Sequence, residues 1–303
     1  MIRRLKYHEI DFKKYTDCLE NSEQRKYSAT KDFLDVTSGN QWEILVYGDY
    51  EAVMPVPCVK KFGVKIVHNP KLCQQLGVFS PKDNIEINEK LLEYLHENYL
   101  IRFFTFNDAN HFHSKTVLKN NFLIYPDLYE NVYSKYSPKR KRKLRLDEDI
   151  LSNSKVKNIT CDEAKGFIRA NALGAESEND KEGFLKIFES FFTMNYLKFA
   201  AFYYKEKITN IIVTYSDDHS VALLGTFNDK DFVKLSGASV LIDNAIRENI
   251  ETHIFDFEGG NLPNIEEFFR GFRPELKPYG IIENSKQDIV KKILSLFLKG
   301  KLF

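Results

Sequence analysis

The apolar positions of the chain fall into two series that repeat one order of elements. In the first, Trp42-Glu-Ile-Leu-Val-Tyr47 predicts a strand, Gly48-Asp49 a hairpin turn, and Tyr50 to Val56 the returning strand. A strand through Lys65-Ile-Val-His68 follows. Leu91, Leu92 and Leu95 then share one face of a predicted helix over Asn88–Asn98, and Leu100–Phe106 reads as a closing strand. In the second series, Phe199–Tyr204 and Ile208–Tyr215 form a hairpin around Lys205-Glu206-Lys207, and Val221–Phe227 is the next strand. A loop over Asn228–Gly237 leads into a helix over Ala238–Asn249 with Val240, Leu241, Ala245 and Ile246 inward. Thr252–Phe257 closes this series as a strand.

An antiparallel meander followed by a helix and a strand is an α+β arrangement. Its last strand pairs in parallel with the strand before the helix, and the N–H groups at the helix start are open to an anion. The same order twice predicts a duplicated domain. Between the series lies Tyr136-Ser-Pro-Lys-Arg-Lys-Arg-Lys-Leu-Arg145, where Ser137 is a fitting N-cap and Pro138 a fitting first helical residue. The loop-like Ser152-Asn-Ser154 beyond it puts the domain boundary near residue 150, giving domains over 1–148 and 149–303.

Composition narrows the class. At 303 residues with 43% hydrophobic and 29% charged residues, the chain is globular and long enough for two cores. A net charge of +1 gives no global attraction to DNA or to an anionic membrane. The four cysteines, Cys18, Cys58, Cys73 and Cys161, are scattered without a C-x-x-C pair, as expected of reduced thiols in the cytoplasm. The N-terminus lacks an apolar signal run, and no apolar stretch reaches the roughly 20 residues of a membrane span. The tail Ile289–Phe303, densest at Ile293-Leu-Ser-Leu-Phe-Leu, reads as a docked terminal helix or as a peripheral membrane contact.

The candidate chemistry is concentrated in the second half. Asp256 and Glu258 alternate with Phe255 and Phe257, so an extended chain points both acids one way, ahead of Gly259-Gly260 and a helix beginning at Pro263. Arg270 and Arg273 on or after that helix are expected opposite them. Two readings follow: a structural ion network, or a site where a carboxylate takes a proton from an attacking amine while Arg270 steadies an oxyanion. The loop Ser236-Gly237-Ala238-Ser239 can start a helix or hold the phosphates of a carrier. The basic run supplies Arg140 and Arg142 for phosphates of tRNA or of a nucleotide-linked substrate, or it is a solvated helix. Asp108-Ala-Asn-His-Phe-His113 brings two histidines together without a convincing further ligand, so no metal is expected.

Phe255-Asp-Phe-Glu-Gly-Gly260, Glu266-Glu-Phe-Phe-Arg-Gly-Phe272 and Lys277-Pro-Tyr279 resemble the closing signature of FemAB-like proteins, tandem GNAT-fold acyltransferases. The basic segment from Tyr136 resembles the one that begins their second GNAT unit. Trp42, Ala52–Pro57 and Gln74-Gln-Leu-Gly77 resemble a divergent branch of the family. The resemblance implies two GNAT-like domains with mixed sheets flanked by helices. It implies transfer of an acyl or aminoacyl group to the amine of a small-molecule or peptide acceptor. The donor would be acyl-CoA or aminoacyl-tRNA, used as a substrate, with no tightly bound cofactor. Asp256 or Glu258 would then orient or deprotonate the acceptor, Arg270 would stabilise the oxyanion, Tyr279 would reprotonate the leaving group, and Arg273 and Lys277 would contact substrate. Two departures leave the donor open: Arg270 stands where the family usually has lysine, and the glycine-rich loop is reduced to Ser236–Ser239. A non-catalytic GNAT-fold module binding a peptide or a nucleotide-linked sugar is the alternative.

Overall fold

The computed structural model describes residues 1–61, 64–173, 177–260 and 263–298. Along the chain run β1 (Ile2–Lys6), α1 (Phe12–Glu20), α2 (Lys31–Ser38), β2 (Trp42–Tyr47), β3 (Ala52–Lys61), β4 (Val64–His68), α3 (Ile85–Asn98) and β5 (Leu100–Thr105). Then come β6 (Val117–Ile124), α4 (Tyr129–Lys135), α5 (Pro138–Leu144), α6 (Glu148–Asn153), β7 (Ser154–Ile159), α7 (Cys161–Asn171), α8 (Glu178–Thr193), β8 (Leu197–Tyr204), β9 (Lys207–Ser216) and β10 (Ser220–Asn228). α9 (Gly237–Asn249), β11 (Ile254–Asp256), α10 (Pro263–Arg270), β12 (Glu275–Glu283) and α11 (Lys286–Leu298) complete the order.

The chain forms two compact units, residues 1–119 with 278–303, and residues 120–277. In the first, the strand order is β1-β2-β3-β4-β5-β12, and in the second β7-β8-β9-β10-β11-β6. Each order contains the expected parallel pair: Ile66 opposite Leu100 in one unit, Val221 opposite Phe255 in the other. The mixed α+β sheets flanked by helices predicted from the repeated order are therefore present in both units.

The unit limits differ from the sequence-based boundary at 148/149, and the packing explains why. Phe122, Ile124, Val132 and Tyr136 are buried in one core with Leu241, Ile246, Phe255, Phe257 and Phe272, so residues 120–148 join the second unit. The last strand goes the other way: Ile281, Ile282 and Glu283 of β12 pair with Thr105, Phe104 and Phe103 of β5 in the first. Each unit thus completes its sheet with a strand from outside its own repeated series.

Local signals account for the element starts. Asn84 caps α3, Ser137 caps α5 with Pro138 in its first turn, and Thr160 forms a capping box with Glu163 at α7. In the first unit Trp42 is buried, with its indole N–H donating to Asp35 at 2.9 Å. The terminal helix α11 buries Ile289, and Lys292 donates to the carbonyls of His96 and Tyr99 at 3.1 and 3.3 Å. Val290 and Leu294 remain exposed, and the end of the tail, 299–303, lies outside the described residues. No helix among the described residues is long and apolar enough to cross a membrane.

Candidate functional site

The second unit has its irregularity where β10 meets β11. The parallel pairing spans three residue pairs, Ser220 to Ala222 opposite Ile254 to Asp256, and stops there. β10 continues to Asn228, paired with β9 alone and shifted by a bulge between Leu223 and Gly225. Backbone groups of β10 beyond Ala222 therefore have no β11 partner, and bulges of this kind are over-represented next to active sites.

Asp256 sits at this end of β11 and is 4% exposed. Its Oδ1 accepts from Asn121 Nδ2 at 3.0 Å and from the Glu258 backbone N–H at 2.9 Å. Asn121, fully buried, returns its Oδ1 to the Gly259 N–H at 3.1 Å. The two side chains clamp a turn in which Glu258, Gly259 and Gly260 have φ of 52°, 131° and 133°. Gly260 is required twice over, since its φ disfavours any Cβ and that Cβ would overlap the Phe122 ring.

The strand alternation expected for Asp256 and Glu258 is broken. β11 ends at Asp256, and Glu258, half-buried, is already in the left-handed region, so the two acids do not line one strand face. Phe255 and Phe257 do alternate as expected; both are buried, with ring centroids 5.1 Å apart. Nor do the arginines face the acids. Arg270 pairs with Glu266 one turn back on α10, Nε to Oε1 2.7 Å, with its guanidinium 5.1 Å from the Phe122 ring centre. Helical i,i+4 spacing makes Glu266 the nearer carboxylate. Arg273 lines a separate surface cavity with Tyr125 and Lys135. Lys277 pairs with Glu275 at 2.6 Å and lies over the Tyr125 ring. Tyr279 is buried in β12 and belongs to the first unit.

The expected carrier loop begins α9. Ser236 has φ 63° and its side chain makes no capping bond. Gly237 is buried, and a Cβ there would overlap the Asn210 side-chain amide and lie 2.8 Å from Phe202 Cδ1, so the helix start is seated directly on β8 and β9. Ala238 is half-buried, and the Ser239 hydroxyl accepts from Arg140.

Arg140 is not a surface cation of the basic run. It is 6% exposed, its guanidinium lies 4.2 Å from the ring centres of both Phe268 and Phe272, and Nη2 donates to the Phe268 carbonyl at 2.7 Å. Its Nε is buried without a hydrogen-bond partner. Burial pulls the guanidinium pKa down to about 10, which still leaves it charged at neutral pH. Arg142 on the same helix is exposed, as is Lys139, which pairs with Glu267 at 2.8 Å.

Sequence reasoning also missed Asp243 on α9. It is 4% exposed, accepts from the Tyr129 hydroxyl at 2.9 Å and from Arg247 at 3.2 Å, and burial raises its pKa. Its position between apolar neighbours of a helix was the one available signal. Of the histidine segment in the first unit, Asp108 pairs with Lys26 at 3.0 Å and His111 with Asp83 at 2.9 Å. No group of three or more metal-ligating side chains gathers among the described residues.

Among solved structures, FemX matches with 9% identity over 96% of this chain and 99% of that one, with a TM-score of 0.62. A tandem GNAT protein from the clavulanic acid biosynthesis pathway matches at 9% identity over 93% and 97% of the two chains, TM-score 0.51. The fold is that of the FemAB-like tandem GNAT proteins. A conserved Bacteroides thetaiotaomicron protein of unknown function shares it, at 11% identity over 94% of this chain and all of that one, TM-score 0.53. No family model matches the sequence. No curated protein matches it either. In this chain the β10–β11 splay and the start of α9 are the second unit's counterparts of the parallel pair β4–β5 and the start of α3 in the first.

Proposed function

We propose that this protein is an acyltransferase that moves an acyl or aminoacyl group to an amine, with its reacting centre in the second unit. The observation that carries the reading is the break in parallel pairing after Ala222 and Asp256, on a fold shared with FemX and a tandem GNAT protein. Acyl transfer to an amine needs a held carbonyl, a placed nucleophile and N–H groups aimed at the developing oxyanion. Backbone N–H groups of β10 beyond Ala222, which have no β11 partner, suit the oxyanion, and the half-buried Glu258 suits an incoming amine as orienting group or base. Asp256 acts indirectly, as the positioning residue that fixes the turn carrying Glu258. Arg270, half exposed beside Phe122, suits a phosphate or carbonyl oxygen of the donor after exchanging Glu266 for it.

The donor is acyl-CoA or aminoacyl-tRNA. Because Arg140 is buried, a tRNA donor would use the exposed Lys139, Arg142 and Lys143 of α5. Mass spectrometry of small molecules and RNA retained by the purified protein, followed by turnover with a panel of acyl-CoA and aminoacyl-tRNA donors, tests the reading. Turnover of one class that falls at least about tenfold in Glu258→Gln supports it. Failure to consume any donor, with a peptide or nucleotide-linked sugar retained instead, would replace it with a binding module. Binding of tRNA that weakens steeply with salt and is lost in Lys139→Ala/Arg142→Ala/Lys143→Ala selects the aminoacyl donor.

A further inference from the structure

The second unit carries a small cavity of about 200 Å³, lined by Leu123, Tyr125, Val132, Phe272 and Arg273, that acyl transfer as described does not use. Its charged groups are unevenly matched. Asp127 is taken by Lys135 at 3.1 Å and also accepts from Asn131 and from the Leu128 N–H. Glu275 is taken by Lys277 at 2.6 Å. Arg273 has no hydrogen-bond or ion-pair partner among the described residues, so its guanidinium is the uncompensated charge of the cavity.

The backbone supplies a second observation. Arg273 follows α10 with φ 58°, a left-handed conformation ordinarily occupied by glycine or asparagine at a helix end. An arginine there is strained, and a strained residue whose charged head makes no hydrogen bond or ion pair among the described residues points to a task outside folding. Val132 and Phe272 give the cavity buried apolar walls, Arg273 itself is exposed to an incoming ligand, and the remaining charged lining groups, Asp127, Lys135 and Glu275, are already paired.

We propose that this cavity binds the anionic end of a small ligand, a carboxylate or a phosphomonoester, through the guanidinium of Arg273. The planar fork suits either oxyanion, and the volume limits the inserted portion to a headgroup or a short chain. The site does not depend on the acyl-transfer reading, because its occupancy is read without donor or acceptor.

Isothermal titration of the full chain with inorganic phosphate and, separately, with butyrate tests it. Wild type should show one saturable site for at least one of them: phosphate alone identifies a phosphomonoester site, butyrate alone a carboxylate site. Arg273→Gly should weaken that binding at least about tenfold. The same variant should raise Tm by about 2–4 °C by relieving the backbone, so lost binding cannot be ascribed to misfolding. Arg273→Lys should bind more weakly than wild type, since the fork is lost. Absence of saturable binding to both probes, undiminished binding in Arg273→Gly, or a lowered Tm in that variant would overturn the proposal.

Discussion

Arg140 offers the sharpest test of how the second unit is held together. Its guanidinium makes two charge-assisted hydrogen bonds, to the Ser239 hydroxyl and the Phe268 carbonyl, each worth about 1.5–3 kcal/mol. Two ring faces at 4.2 Å add about 1–2 kcal/mol each in a desolvated setting. Opposing them are several kcal/mol for burying a charge with no carboxylate in contact, and about 1–3 kcal/mol for the unpaired Nε. The sides nearly cancel, which makes the substitutions informative. Arg140→Met removes the charge and its desolvation together, fills most of the space, and should cost about 1–2 kcal/mol through the acceptors left unpaired. Arg140→Lys keeps the charge and the desolvation but loses one hydrogen bond and the planar stacking, and should cost about 2–4 kcal/mol. The charge-conserving change is thus the more damaging one. Burial should also depress the new lysine's pKa, so the unfolded chain binds the extra proton and the Lys variant gains stability as pH rises towards about 10. Urea denaturation followed by far-UV circular dichroism gives both values by linear extrapolation. A Lys variant within about 0.5 kcal/mol of wild type, or more stable than the Met variant, would refute the buried-guanidinium argument.

Three further outcomes follow from the same packing. Gly237→Ala drives a Cβ into Asn210 and Phe202, so it should cost about 1–3 kcal/mol in the same denaturation assay. Asp243 has a pKa raised by burial, so the folded state holds its proton longer than the unfolded chain and wild type loses stability as pH rises from about 4 to the raised value. Asp243→Asn, which can still accept from Tyr129, should flatten that segment of a stability–pH curve. Burial pushes Cys18 to about 11 and Cys58 to about 12, so a thiol-specific disulfide reagent at pH 8 should leave both unmodified in the native protein and label them in urea.

The strands were legible where both neighbours impose an apolar side chain. Trp42–Tyr47, Leu100–Thr105 and the β8–β9 hairpin follow from runs that can only be buried, and the repeated order revealed the parallel pairs. The limits of the units were not legible, because β6 and β12 are ordinary short strands whose partners lie far away in the chain. Ile124 pairs with Phe255 and Ile281 with Thr105, and no local pattern encodes such separations. The site was legible in its residues and not in its contacts. Alternation placed Phe255 and Phe257 correctly, but Glu258 escapes it because two glycines allow a tight turn that begins one residue earlier. Arg140 hid inside a run of five basic residues, and only the aromatic pair at Phe268 and Phe272 distinguishes it from Arg142.

These contacts change what the acidic pair can do. A buried carboxylate engaged by Asn121 and by the Glu258 backbone N–H is committed to the turn, which makes Asp256 a firm anchor. The anchor matters because Gly259 and Gly260 alone would leave the turn free to sample many conformations, at a backbone entropy cost on ordering. With Asn121 bridging Asp256 and Gly259, the turn is tied to β6 on one side and to the end of β11 on the other. Glu258 is consequently held on a fixed backbone at the point where β10 loses its partner, while its own side chain remains half open to solvent. Under the acyl-transfer proposal, a group that takes a proton from an incoming amine needs that combination of a fixed backbone and an accessible head. Asp256 and Glu258 therefore divide the work that one strand face was expected to share: the first builds the turn and the second is presented by it.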